Sequence, residues 1–192
     1  MPNWCDNDLW IRAVGKNKEQ QLREFATFAQ SPEGHIEFNN FVPYPARFTR
    51  MDKIVEELNT LWNDMRDESG IDRKTNPTAY EAWYKDHPPP GLSDGYNSGG
   101  YEWCVENWGT KWGACQAKLS KDEYEKGCLL YQFDTAWSPP LPIILAMSQR
   151  FPKLKFTLRY YECGAGFKGT YQVTVGQVLR DESGNYQGHR GG

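Results

Sequence analysis

No apolar run in this 192-residue sequence approaches the roughly 20 residues that a helix needs to cross a bilayer. The first residues, Met1-Pro2-Asn3-Trp4-Cys5, lack the pattern of a secretory signal peptide. The net charge of -3 lacks the basic excess of domains whose main role is to neutralise phosphates. We therefore expect a soluble cytoplasmic protein with no membrane role, for which direct nucleic-acid binding ranks below protein binding.

Metal ligands and nucleophiles are few and scattered. The five cysteines form no CxxC pair and are odd in number, which favours reduced thiols over a disulfide scaffold. The three histidines, His35, His87 and His189, lie far apart in the sequence. Gly164-Ala165-Gly166 is followed by a predicted strand and not by the helix that would hold a phosphate. We predict no catalytic residue, no metal site and no cofactor, and an enzymatic role is the less favoured interpretation.

Aromatic residues are abundant, at 15% of the chain with eight tryptophans, and supply much of the area available for burial. Hydrophobic periodicity predicts the secondary structure. The predicted extended segments are 7–14, 36–42, 113–119, 128–134, 154–162 and 169–178. The predicted helices are 18–30, 54–65, 78–85 and 143–151.

This order of elements predicts an α+β fold, a βαββαβ antiparallel sheet with an extra C-terminal strand and helices on one face. We expect a single domain over 1–180 and a flexible polar tail over 181–192. Residues 46–105 differ in character from the rest and are predicted to form a helical, aromatic-rich insertion with an exposed loop at 87–100.

Three aromatic-glycine-proline motifs stand out, at Trp108–Trp112, Phe133–Pro140 and Tyr160–Gly169. Antiparallel pairing would bring them together where the strands end. Their residues would either form the scaffold of the fold or, in the alternative interpretation, line a ligand pocket. The candidate ligand-binding residues are Lys111, Asp134 and Glu162, with Trp112 and Trp137 as walls. Strand alternation places Glu162 on the core side, where its carboxylate needs a partner, and Lys111 is the candidate for an ion pair.

The insertion offers candidate partner-binding residues, which would otherwise pack it onto the sheet. These residues are Trp83, Tyr84, Tyr96, Tyr101 and Trp103. Acidic residues outnumber basic ones over 52–68. Such a face is either simply solvated, which is the commoner case, or engages a basic partner such as a nucleic-acid-binding effector.

The N-terminal Met-Pro-Asn-Trp-Cys and the three motifs together resemble the YubB-type ferredoxin-like domain family of phage and conjugative-plasmid proteins. The resemblance covers the first strand and about residues 108–175. It implies a ferredoxin-like fold and a mobile genetic element acting inside a bacterial cell. It implies no activity that can be assigned to residues of this chain.

We expect an accessory protein of a mobile genetic element that acts by binding a host or element-encoded protein. One such action is the inhibition of a host defence, of the anti-CRISPR or anti-restriction type. The alternative is a small-ligand or nucleotide-binding or nucleotide-processing domain that uses Lys111, Asp134 and Glu162.

Overall fold

The computed structural model describes residues 3–32, 34–89 and 99–188. Its strands are β1 (Trp4–Ala13), β2 (Cys115–Glu123), β3 (Cys128–Ala136), β4 (Leu154–Glu162), β5 (Phe167–Thr174) and β6 (Gln177–Asn185). Its helices are α1 (Lys18–Ala29), α2 (Ala46–Glu68), α3 (Pro77–Asp86), α4 (Gly99–Asn107) and α5 (Leu141–Arg150), with a short 3-10 helix at Phe38–Asn40. None of the helices in these ranges combines the length and the apolar character that a membrane crossing requires.

The chain divides into two compact units. The sheet unit comprises Met1–Pro43 and Glu102–Gly192, and the helical unit comprises Tyr44–Tyr101. The first contains the whole sheet with α1 and α5, and the second contains α2 and α3.

The sheet is antiparallel throughout, with strand order β2-β3-β1-β4-β5-β6. Its first four strands, with α1 after β1 and α5 after β3, follow the predicted βαββαβ order. Both helices contact the same sheet, α1 against β1 and α5 against β4 and β5. The predicted α+β, ferredoxin-like class is therefore confirmed.

The C-terminal part of the sheet differs from the prediction. A turn at Val175 and Gly176, both in the left-handed backbone region, divides the predicted strand 169–178 between β5 and β6. The extra C-terminal strand is therefore two strands. The predicted flexible tail is wrong for 181–185, which pair with β5, because exposed polar residues satisfy an edge strand as readily as a coil.

The core lies between the sheet and its two helices. Alternate residues of β1, including Leu9 and Ile11, are fully buried, as a strand covered on one face requires. Phe25 of α1 is also fully buried and lies 5.2 Å from Phe151 and 5.6 Å from Phe156 between ring centroids. The aromatic residues thus form the centre of the core.

The predicted extended segment 36–42 is wrong at its centre, where the chain forms the 3-10 helix. The Glu37 carboxylate accepts a hydrogen bond from the Asn39 N–H at 2.9 Å and caps this helix. The turn buries Phe38 against Trp108 and Phe133, each 6.0 Å away between ring centroids. Tertiary packing of one aromatic side chain outweighs the local strand pattern here.

The helices predicted at 54–65 and 78–85 lie within α2 and α3. Asn76 caps α3 through its side chain, and Pro77 occupies the first turn. Helix α4 was not predicted, since two glycines open it and indicate a loop from sequence alone. Within it Cys104 is fully buried.

Candidate functional site

The three motifs meet at one end of the sheet, here called the motif end. Register pairs join Trp4 to Ala136, Cys5 to Glu162 and Cys115 to Asp134, so that the end of β3 and the end of β4 lie beside the start of β1. The prediction that antiparallel pairing brings the motifs together is confirmed.

Hydrogen bonds tie the motif end together. The Ser138 hydroxyl donates to the Gly109 carbonyl at 2.6 Å, and the Thr110 hydroxyl donates to the Ala136 carbonyl at 3.0 Å. The Thr135 hydroxyl donates to the Ser138 carbonyl at 2.7 Å and accepts from the Asn7 amide at 2.9 Å. These buried hydroxyls connect the first motif to the second, so their role in the structure is that of a scaffold.

Glu162 is 2% exposed, and its partner is its own loop. Its carboxylate accepts hydrogen bonds from the Gly164 N–H, at 2.7 Å, and from the Ala165 N–H. A Cβ on Gly164 would lie 2.6 Å from the side-chain amide nitrogen of Asn3 and 2.8 Å from a carboxylate oxygen of Glu162, so a larger residue there would displace one of these side chains. The core-side placement of Glu162 is confirmed, but the expected ion pair with Lys111 is replaced by backbone donors that compensate a buried carboxylate at shorter range.

Lys111 lies between two indole rings. Its ammonium is 4.9 Å from the ring centroid of Trp112 and 5.1 Å from that of Trp137. Trp137 is 44% exposed, has a left-handed backbone with φ of 66°, and donates its N–H to the Asn3 carbonyl at 2.9 Å. The predicted walls Trp112 and Trp137 thus surround Lys111 through cation–π contacts.

Asp134 and Glu162 lie on opposite faces of the sheet. Asp134 pairs with Asp6, and Glu162 pairs with Cys5, the next residue of the same strand. Successive side chains of a strand point to opposite faces, so the two carboxylates cannot line one pocket. The predicted trio of Lys111, Asp134 and Glu162 is therefore not brought together around a single cavity.

Cys5, which pairs with Glu162 across the strands, is fully buried. Burial, followed by the nearby carboxylates, raises the pKa of its thiol to about 12. A thiol that stays protonated at neutral pH is a poor nucleophile, so Cys5 contributes packing to this end of the sheet.

The open face of the sheet, opposite α1 and α5, carries polar side chains in rows. Near the motif end one row comprises Asp134, Asp6, Tyr161 and Lys168, and the next comprises Lys118, Gln132, Asp8, Arg159, Thr170 and Glu182. They line a groove of about 860 Å³. The Gln132 amide donates a hydrogen bond to the Asp8 carboxylate at 2.7 Å. Burial raises the pKa of Tyr161 to about 12, with a smaller contribution from the negative charge of Asp6. Over residues 3–32, 34–89 and 99–188, no group of histidine, cysteine and carboxylate side chains could hold a metal ion.

The helical unit contains an aromatic cluster of its own. Trp62 lies 5.7 Å from Trp83 and 5.8 Å from Tyr84 between ring centroids, and its indole N–H donates to the His87 carbonyl at 2.9 Å. Trp83 stacks on the His87 ring at 4.9 Å. Two of the predicted partner-binding residues, Trp83 and Tyr84, therefore contact the same ring, that of Trp62. Tyr84 is 40% exposed.

The remaining predicted partner-binding residues lie elsewhere. Trp103 belongs to the sheet unit and packs edge-on against Trp108 at 5.5 Å. Tyr101, at the end of the helical unit, is half-buried. Tyr96 lies outside the described residues. Trp83, Tyr84 and Tyr101 thus belong to the helical unit and Trp103 to the sheet unit.

Helix α2 has two apolar stripes where the sequence indicated one. The inner stripe comprises Phe48, Val55 and Trp62, spaced seven residues apart, of which Phe48 and Val55 are 3% and 6% exposed. The outer stripe comprises Ile54, Leu58, Leu61 and Met65, which are 39%, 37%, 64% and 41% exposed. The outer stripe could have been recognised from the sequence, because its spacing of four, three and four residues is that of the contact positions in a coiled coil.

Comparison with known proteins finds a family similarity in the C-terminal part of the sheet unit. Residues 108–190 match a family model described as a ferredoxin-like domain in Api92-like protein. The chain is similar to the crystal structure of a protein api92 from Yersinia pseudotuberculosis, with a TM-score of 0.50 and 12% identity over 98% of this chain and 99% of that one. No curated protein matches the sequence significantly. The ferredoxin-like part of the resemblance is confirmed, and the YubB-type name and the phage or plasmid setting stay predictions.

Proposed function

We propose that this ferredoxin-like protein acts by binding another protein through the outer stripe of α2. The observation that carries the proposal is that four large apolar side chains are exposed along one face of one helix. Leu61 alone is 64% exposed, and Ile54, Leu58 and Met65 are each more than a third exposed. Exposed apolar residues are common singly, but a continuous seam on a helix is typical of an interface.

The partner that fits the outer stripe is an amphipathic helix with basic flanks. Knobs from such a helix would pack between residues spaced four and three apart. Glu57 and Asp64 are exposed, lie seven residues apart and follow one side of the stripe. They would attract lysine or arginine on the partner and would repel the same acidic flank of a second copy of this chain.

The setting that we propose for this interaction is a mobile genetic element in the bacterial cytoplasm. There the partner is a host or element-encoded protein, and nucleic-acid-binding effectors of host defence carry the basic surfaces that an acidic helix selects. Inhibition of such an effector is the proposed outcome of binding.

Site-specific photo-crosslinking in bacterial cells tests the proposal. A photoreactive residue in place of Leu61 should crosslink to a distinct polypeptide. One in place of the exposed Asn59 should not, because Asn59 precedes Leu61 by two residues and lies about 160° away from it around α2, on the side opposite the acidic flank. The crosslinked peptide of the partner should come from a helix that bears basic residues. Crosslinks to this protein alone would assign the stripe to self-association, and equal crosslinks from both positions would contradict a specific interface.

Affinity for the purified partner then provides the matched comparison. Leu61→Asp should weaken binding at least tenfold, because it places a charge within the outer stripe. Substitutions of central interface residues typically cause losses of this size. Asn59→Asp adds the same charge nearly opposite Leu61 on the helix and should leave affinity within about twofold. In cells that restrict phage by the identified effector, only the wild-type chain and Asn59→Asp should restore phage growth.

A further inference from the structure

The half of the open face that lies away from the motif end carries a group of three cations. Arg12 of β1 and Lys155 of β4 are direct cross-strand partners, and Lys121 of β2 pairs with Leu130. Residues that pair in register share a face, so all three cations lie on the side opposite α1 and α5. With strands about 4.8 Å apart, this positive strip extends about 14 Å from β2 to β4.

In the part of the chain that the structure describes, these three cations have no anionic partner. Among the described residues, Arg12, Lys121 and Lys155 make no ion pair and no side-chain hydrogen bond. Glu123 of β2 lies in the same row as Arg12, since both pair with Cys128, but its carboxylate is already paired with Lys126 at 3.1 Å. Like charges directly opposite each other weaken a sheet, so the Arg12–Lys155 pair costs stability that an anion from outside would recover.

An indole lies within the same strip. Trp10 of β1 is half-buried on the open face, and the Lys121 ammonium is 5.1 Å from its ring centroid. Beside it the Gln172 amide donates to the Thr157 hydroxyl at 2.9 Å, which adds polar groups that can contact a base edge. An aromatic platform among cations on an open sheet is how proteins hold unstacked bases and the phosphates between them.

We propose that this basic strip binds single-stranded nucleic acid, with phosphates on Arg12, Lys121 and Lys155 and a base on the Trp10 indole. The overall charge of -3 conceals the strip because carboxylates elsewhere outnumber these cations. A duplex fits less well, since its bases are stacked inside and cannot reach a flat sheet. The proposal concerns the sheet unit and is independent of the protein-binding role of α2.

Fluorescence anisotropy with labelled oligonucleotides tests the proposal on the full chain. The probes are single-stranded DNA and RNA of about 15 nucleotides, near the upper site size of single-strand-binding OB-fold domains. Three phosphate contacts predict that affinity falls roughly 20-fold between about 50 and 200 mM salt. The double substitution Arg12→Glu/Lys155→Glu should weaken binding at least tenfold. Arg12→Gln/Lys155→Gln, which removes the charges without reversing them, should weaken it in the same direction and serves if the first variant fails to fold.

Two further variants separate the strip from general electrostatics. Lys53→Glu/Lys85→Glu changes the net charge by the same amount in the helical unit and should leave affinity within about twofold. Trp10→Leu should weaken binding several-fold while leaving the salt dependence unchanged, because stacking releases no counterions.

Several results would overturn the proposal. One is a dissociation constant weaker than about 100 µM at low salt, which is the weak end of non-specific binding. Another is a loss of affinity in Lys53→Glu/Lys85→Glu as large as that in Arg12→Glu/Lys155→Glu. Equal or tighter binding of a duplex would also overturn it. Competition by polyglutamate as effective as competition by unlabelled single strands would reassign the strip to acidic proteins.

Discussion

At the scale of single residues, the motif end shows why particular side chains are needed there. Glycines and small hydroxyl residues occupy positions where neighbouring backbone approaches closely. Glu162 is held by the N–H groups of the loop that follows it, and Trp137 is held in a left-handed conformation by Asn3. Each of these contacts shapes the fold, so substitutions in the motifs should be read first as changes in stability.

Gly109→Ala is the sharpest test of this role. The backbone of Gly109 has φ of 82°, and a Cβ there would lie 2.5 Å from the Pro142 side chain and 3.1 Å from the Pro139 carbonyl. We expect a loss of more than about 2 kcal/mol in the free energy of unfolding, measured by urea denaturation, because strain and overpacking add. Gly113→Ala is the matched control, since a Cβ there meets no atom within 4 Å. Equal stability of the two variants would refute the scaffold role of Gly109.

At the scale of elements, α2 illustrates what periodicity alone leaves open. Its apolar residues indicate an amphipathic helix, but not which of them the chain covers. The structure separates an inner stripe from an outer stripe, and only the first is buried. The sequence could not make this distinction, because both stripes have spacings that suit a packed helix.

Truncation of one residue from each stripe should therefore give different results. Val55→Ala is expected to lower the free energy of unfolding by about 1–2 kcal/mol, since it removes buried methyl groups. Leu61→Ala should change it by less than about 0.5 kcal/mol, because that side chain is 64% exposed. Thermal and chemical denaturation of both variants measure the difference. A larger loss for Leu61→Ala would mean that the outer stripe is covered in the free protein.

At the scale of the whole molecule, the order of the strands sets a gradient of stability. Strand β1 pairs with β3 on one side and β4 on the other, whereas β2 and β6 each pair with one neighbour. Every residue of β6 is exposed. The centre of the sheet should therefore open only with the whole unit, and its edges should open locally.

Amide hydrogen exchange followed by mass spectrometry measures this gradient. We expect the slowest exchange in peptides from β1 and the fastest strand exchange in β6, by at least about tenfold, since local opening costs far less than global unfolding. Peptides from β2, the other edge strand, serve as the internal comparison and should exchange faster than those from β3. Comparable protection of β6 and β1 would show that a partner or a second copy covers this edge.

The sequence by itself determined most of the local elements and the order in which they occur, with the exceptions of α4, the 3-10 helix and the division between β5 and β6. Alternation defined β4 at Leu154–Glu162, and antiparallel pairing alone predicted that the three motifs meet at one end of the sheet. Only the tertiary structure decided which faces these residues occupy. It placed Asp134 and Glu162 on opposite sides, gave Glu162 backbone donors in place of Lys111, and assembled the basic strip from β1, β2 and β4. Periodicity is a property of neighbours along the chain, whereas a charge cluster or an ion pair depends on register between strands far apart in sequence, which only packing fixes.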